Sequence, residues 1–183
     1  MKSKIIEKIL NGDNKTLNEI IEIVRDNAVF QDVMSDFKEE FFIDDNIHGI
    51  SHNERVALLV CYIGIQEGLN DEELRLVLEA AKYHDIGRGF EGNHGQYSAI
   101  VIDRNKEHIF PNLSDDEINT IKALCNAHSV DDNRYIEIAK LYGIENIEKF
   151  KRLLDIVKDA DALDRVRLPR FGQLEEKYLR TET

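Results

Sequence analysis

Leu74-Arg75-Leu76-Val77-Leu78-Glu79-Ala80-Ala81-Lys82-Tyr83-His84-Asp85-Ile86-Gly87-Arg88 decides how the chain is read. Leu74, Val77, Leu78 and Ala81 recur at i, i+3, i+4 and i+7, the spacing of one apolar helical face. The His84-Asp85 pair therefore arrives at the end of a core helix. Gly87 and Gly89 behind it release the backbone from helical geometry. Neighbouring helical side chains diverge by about 100°, yet both reach a single ion if it lies beyond the helix end. An imidazole beside a carboxylate suits a divalent first-row metal.

A lone histidine–aspartate pair is more often a cap or a surface contact. Its company gives it weight: five of the six histidines, all but His108, fall at polar breaks between apolar helical stretches. Upstream, Ser51 and Glu54 have capping-box spacing and set a helix start at His52, with Val56, Leu59, Val60 and Ile63 as its buried face. His48 precedes that helix, as a supporting hydrogen-bond partner or an exposed loop residue. Gly68 closes the helix, and Asp71 opens the one that delivers His84. Downstream, four glycines in residues 87–97 exclude a helix interior. The segment is a surface loop or one that brings backbone close to a ligand, and His94 in its middle favours the second. A helix from about Gln96 to Asn105 follows. Ser114 and Glu117 form another capping box, leading through Ile118, Ile121 and Leu124 to His128. A histidine at such a helix end is either a contact with the helix dipole or a ligand. Tyr135–Tyr142 reads as a short helix ended by Gly143. The last long helix, from Ile147 or Lys149, buries Leu153, Val157 and Ala160 and carries Asp155, Asp159, Asp161 and Asp164. Arg165, Arg167 and Arg170 follow it.

Outside this region the pattern is also helical. Residues 3–10 form a short helix, Thr16 and Glu19 cap a second with Leu17, Ile20, Ile21 and Val24 on one face, and Val29–Phe42 forms a third. Its aromatics pack on the bundle, with an adaptor or dimer contact as their alternative use. The composition fits an all-α fold: 42% of the 183 residues are apolar, and there are only two prolines. A net charge of −12 argues against binding nucleic-acid polymers or anionic membranes. No apolar run approaches the ~20 residues of a membrane helix, and residues 1–12 lack the character of a signal peptide. Cys61 and Cys125 read as buried free thiols in a reducing cytoplasm.

Taken in order, His52, His84-Asp85 and Asp161 resemble the H…HD…D pattern of the HD superfamily of metal-dependent phosphohydrolases. The stretches that carry the likeness are His48-Gly-Ile-Ser-His52, His84-Asp-Ile-Gly-Arg88 and Lys158-Asp-Ala-Asp-Ala-Leu-Asp-Arg165. With Lys177-Tyr178-Leu179-Arg180, the chain looks like a small stand-alone bacterial HD protein. The resemblance implies an HD helical bundle over residues 46–183, with residues 1–45 as a helical extension packed on it. It implies that His52, His84, Asp85 and Asp161 hold one metal. His94 and His128 match the extra histidines of two-metal members, in which the aspartate equivalent to Asp85 bridges. The His-Asp-Ile-Gly-Arg form is similar to that of two-metal phosphodiesterases. Members that hydrolyse guanosine tetraphosphate carry an acidic pair where Arg88 and Gly89 stand. Nucleoside-monophosphate phosphatases tend to have an acid at Arg88's position.

The expectation is thus a metal-dependent phosphohydrolase that acts through metal-activated water on a small nucleotide-like phosphoester or phosphoanhydride. Asp85, Arg88 and Asp164 are its catalytic candidates. Arg88, Lys158, Arg165 and Arg167 are set against the substrate's phosphates. One or two divalent ions (Mn, Fe, Co, Ni, Zn or Mg) are implied, with mixed imidazole and carboxylate ligands favouring a transition metal. A homodimer is compatible with the sequence. The competing readings are an HD-fold module that binds metal or nucleotide without turnover, and a purely structural bundle.

Overall fold

The computed structural model describes residues 14–42, 47–165 and 179–181, with backbone alone for 14–17. Every regular element among them is helical: α1 (Asn14–Arg25), α2 (Ala28–Ser35), α3 (Ile50–Gln66), α4 (Asp71–Tyr83), α5 (His94–Ile109), α6 (Asp115–His128), α7 (Tyr135–Leu141) and α8 (Ile147–Asp164). Short 3-10 turns lie at Glu39–Phe41 and Asp132–Arg134. The all-α expectation holds. No helix among the described residues is long and apolar enough to cross a membrane. The expected helix over 3–10 and the side chain of Thr16 lie outside the described residues.

The helix α4 runs through the middle, packed by α2, α3, α6 and α8. Its start is fixed by Asn70: Asn70 Oδ1 accepts from the Glu73 amide at 2.9 Å, and Glu73 Oε2 accepts from the Asn70 amide at 3.2 Å. Not only Leu74, Val77, Leu78 and Ala81 but also Leu76, Ala80 and Tyr83 are buried. From Leu76 to Tyr83 the helix is enclosed on all sides, beyond the single stripe expected from its spacing. Lys82 is enclosed too. Its ammonium donates to Val33 O at 2.7 Å and Asp36 O at 2.8 Å, satisfying carbonyls at the end of α2. Glu79 Oε2 stands 3.1 Å from it as counter-charge. This buried cation fastens the N-terminal segment to the bundle.

That segment is α2 plus a 3-10 turn, broken at Asp36, in place of one helix over Val29–Phe42. Its aromatics pack inward, with Phe37 and Phe42 at ring-centroid distances of 6.2 and 6.0 Å from Tyr83. On α1, Ile20 and Val24 are buried, but Ile21 is 38% exposed, so it leaves the apolar face expected for it.

Two other helix boundaries differ from expectation. Gly49, in extended backbone, is the N-cap of α3, and Ser51 makes no cap bond. The helix therefore starts at Ile50 and Ser51 is already inside it. His52 remains in the first turn, its amide bonded to Gly49 O at 2.9 Å. Asn93 caps α5, accepting from the Gln96 amide at 3.2 Å, so that helix begins at His94 itself. It then runs past Asn105, a single non-helical residue, to Ile109. The Ser114–Glu117 box forms as read.

Two glycines set the approach of these helices. A Cβ on Gly87 would stand 2.2 Å from His94 O, and one on Gly95 would stand 2.4 Å from Cys125 O. Gly87 is needed for space rather than for its dihedral freedom, since its φ is not positive. Both contacts press the start of α5 against the end of α4 and the last turn of α6. At the far end of the chain, buried Asp159 of α8 accepts from the amides of Arg180 at 2.7 Å and Thr181 at 2.8 Å. Arg180 also reaches Asp132, in the turn after α6, with Nε at 3.0 Å.

Candidate metal centre

Three imidazoles of the bundle have their Nδ1 atoms committed. His84, the residue that caps α4, donates from Nδ1 to Ala81 O at 2.8 Å. His128, the last residue of α6, donates from Nδ1 to Cys125 O at 2.6 Å. His52 on α3 donates from Nδ1 to Asp164 Oδ2 at 2.7 Å. A carbonyl can only accept, so Nδ1 of His84 and His128 carries the hydrogen, and the neutral ring then has its lone pair on Nε2. A carboxylate behind His52 fixes the same tautomer, the usual arrangement behind a metal-binding histidine.

The Nε2 atoms point at Asp85, which is 1% exposed. On one side, His52 Nε2 lies 3.2 Å from His84 Nε2, 3.3 Å from Asp161 Oδ1 and 3.5 Å from Asp85 Oδ2. His84 Nε2 is 3.7 Å from Asp85 Oδ2 and 3.9 Å from Asp161 Oδ1. On the other side, His94 Nε2 and His128 Nε2 are 3.1 Å apart. They lie 3.4 and 3.5 Å from Asp85 Oδ1. One carboxylate thus offers Oδ2 to one group of ligands and Oδ1 to a second. Ligand atoms each about 2.1 Å from a shared ion sit roughly 3.0–3.5 Å from one another, which most of these separations match.

Two buried polar atoms in the cluster, Asp85 Oδ1 and His48 Nδ1, have no hydrogen-bond partner. An unpaired buried carboxylate oxygen is expensive, and a divalent cation satisfies it. The donor set, the pinned tautomers and these unpartnered atoms fit a metal ion. His52, His84, Asp85, Asp161, His94 and His128, all expected as ligands, are brought together. His108 pairs instead with Glu40 on the surface, at 2.8 Å.

His48 stands closer in than its supporting role implied, with Nδ1 3.4 Å from Asp85 Oδ2, and His48, His52 and Asp85 form one group able to hold an ion. Its i, i+4 relation to His52 was the available signal. Three arginines ring the cluster, each on a different carboxylate. Arg88 Nε donates to Asp85 Oδ2, Arg165 donates to Asp161 Oδ2 and Arg55 Nε donates to Asp164 Oδ1, all at 2.7 Å. Arg55 was missed by the sequence reading. The ammonium of Lys158 is committed to Val130 O at 2.5 Å and Asp132 Oδ1 at 2.6 Å, so it braces the turn after α6 and does not face the cluster's anion side. Arg167 lies outside the described residues.

Burial works against a charge on Asp85, but His84, His128 and His48 outweigh it and hold the carboxyl far below the usual range. Burial likewise opposes charge on Asp161, and His52, His84 and Arg165 override it. For His52, burial is outweighed by Asp161, Asp164 and Asp85, and the imidazole is pushed up to about 9. Burial draws His84 and His94 down to about 4, so both are neutral near pH 7.

With Nδ1–H of His52 held by Asp164, the proton that an incoming ion displaces is the one on Nε2. That proton is bound throughout the range below about 9. Divalent-ion affinity is therefore expected to climb with pH by up to about tenfold per unit and to level off above the His52 value. Calorimetric titration in buffers of different ionisation heat measures the released proton, and an affinity flat with pH would place it elsewhere. Asp164→Asn keeps the shape of the side chain and removes its charge. We expect it to weaken ion binding by about 10–100-fold, the usual size for an outer partner of a ligand histidine, with helical circular dichroism preserved.

The sequence model of one family, described as HD domain, matches residues 49–166 of the chain. No curated protein and no solved structure matches it significantly.

Proposed function

Because the chain belongs to the HD-domain family, whose superfamily consists mostly of metal-dependent hydrolases, we propose that it hydrolyses a small nucleotide-like phosphoester or phosphoanhydride. The observation that carries this reading is Asp85 between two sets of imidazoles, one oxygen toward each. Asp85 would serve as a metal ligand toward both sides of the cluster. His52, His84 and Asp161 complete one ligand set and His94 with His128 the other. Ions there supply charge neutralisation for phosphoryl oxygens and an activated water.

The chain's own residues supply the rest. Asp164 holds the His52 ring in its ligating tautomer through the 2.7 Å contact. Arg55 holds Asp164 in place by a two-point contact, Nε to Oδ1 at 2.7 Å and a terminal nitrogen to Oδ2 at 3.2 Å. Arg88 and Arg165 each have guanidinium donors beyond the one bound to a cluster carboxylate, which supports a role for them in holding a phosphate. Such a cationic rim in a chain of net charge −12 draws a small anion locally without attracting nucleic-acid polymers. Lys158 has no part in this reading.

The test is product formation, followed by chromatography, by protein loaded with Mn²⁺ on a panel of nucleotides, phosphodiesters and sugar phosphates. Turnover that a chelator abolishes and the metal restores supports hydrolysis. A protein that holds stoichiometric metal and nucleotide yet turns over none of the panel is a binding module instead.

A further inference from the structure

The loop from Asp85 to His94 carries a feature that ion binding does not use. Phe90 is 53% exposed, yet its ring lies on that of Tyr97, with centroids 5.1 Å apart and planes within 17°. Tyr97 follows His94 by three residues on α5, so the two side chains share a helix face. Gly92 has φ of 105°, open to glycine but not to an ordinary L residue, and a Cβ there would meet Tyr97 Cε2 at 3.6 Å. The loop thus folds over Tyr97 and presents Phe90 to water. Two residues before Phe90, Arg88 donates to Asp85 Oδ2 at 2.7 Å. An anion-binding end and an open aromatic face therefore stand on one short loop beside the cluster.

We infer that the Phe90–Tyr97 pair is a stacking platform for the heteroaromatic base of a nucleoside phosphate whose phosphate faces Arg88 and Asp85. The inference rests on the phosphohydrolase reading and narrows its substrate to molecules with a planar ring. A base laid on an open aromatic face gains stacking without base-specific hydrogen bonds, so the platform selects for a base over none, with little choice among bases. It also gives the exposed phenyl ring a partner, as exposed apolar surface at a binding site requires.

The experiment compares matched ligands with and without a base: adenosine 5′-triphosphate against tripolyphosphate, and adenosine 5′-monophosphate against ribose 5-phosphate. The wild-type preference for the base-bearing member, as a ratio of kcat/KM, is expected to fall by roughly 5–100-fold in Phe90→Ala, the span of one stacked base. Phe90→Trp should restore it. The chain has no tryptophan, so Phe90→Trp also installs a single fluorophore. With Zn²⁺ present, adenosine 5′-monophosphate should quench it saturably and ribose 5-phosphate should not. A preference unmoved by Phe90→Ala, or equal quenching by both ligands, overturns the platform while hydrolysis stands. If none of these ligands is turned over, the quenching decides the platform alone: base-dependent quenching keeps it, and its absence removes it.

Discussion

Asp85→Asn is expected to strip the protein of the metal its cluster holds and to lower kcat/KM by more than about 100-fold. The lower bound follows from comparison, because removing only an outer partner of a ligand already costs 10–100-fold, and Asp85 touches both ligand sets directly. Asparagine is the sharper choice than alanine. It fills the same volume, so any loss is chemical rather than a collapse of the cavity. Its carboxamide has one oxygen and one NH₂, and the NH₂ would face one set of imidazole nitrogens with donors where a cation should be. The fold should survive, because α4 is held by Leu74, Val77, Leu78, Ala81 and Tyr83, all buried independently of the carboxylate. Metal content by plasma mass spectrometry, beside far-ultraviolet circular dichroism, checks this. Two retained equivalents of metal in a folded variant would defeat the assignment.

His128→Gln should act on one side only. His128 Nε2 faces His94 Nε2 and Asp85 Oδ1, while the nitrogens of His52 and His84 face Asp85 Oδ2. On the two-ion proposal, metal content is expected to fall from two equivalents to one. Turnover should drop by about 10²–10³-fold, the range for losing one stabiliser of developing charge. His94→Gln should give the same stoichiometry. Two equivalents remaining in both variants would remove these histidines from the site. Loss of both equivalents in either would mean that the two ligand sets bind as one unit.

Much of this centre was legible because local rules place it. The spacing Leu74, Val77, Leu78, Ala81 delivers His84 and Asp85 to a helix end, and the break after Leu124 does the same for His128. What was hidden depends on chain brought from far away. One partner of Asp164 is Arg55, 109 residues distant, and no periodicity connects them. Gly87 reads as a release from helical geometry, whereas its reason is the backbone of α5 lying against it. Lys158 looks like a free cation beside a row of aspartates, but Val130 O and Asp132 arrive from the turn after α6 to occupy it. The Ser51–Glu54 box satisfies the local rule for a start, and Gly49 displaces it by two residues because its extended backbone caps the helix first. Ile21 follows the spacing of a buried face but sits at its margin.

The three pinned imidazoles differ in how early they can be set. His84 and His128 are locked by carbonyls three residues back in their own helices, so each acquires its ligating tautomer as soon as its helix coils. His52 waits for a residue 112 positions later, which means that its proton is settled only when the last turn of α8 seats against α3. Ion uptake is therefore a gauge of finished tertiary assembly. A chain cut short before Asp164 would show helices by spectroscopy and yet hold an ion at His52 far more weakly.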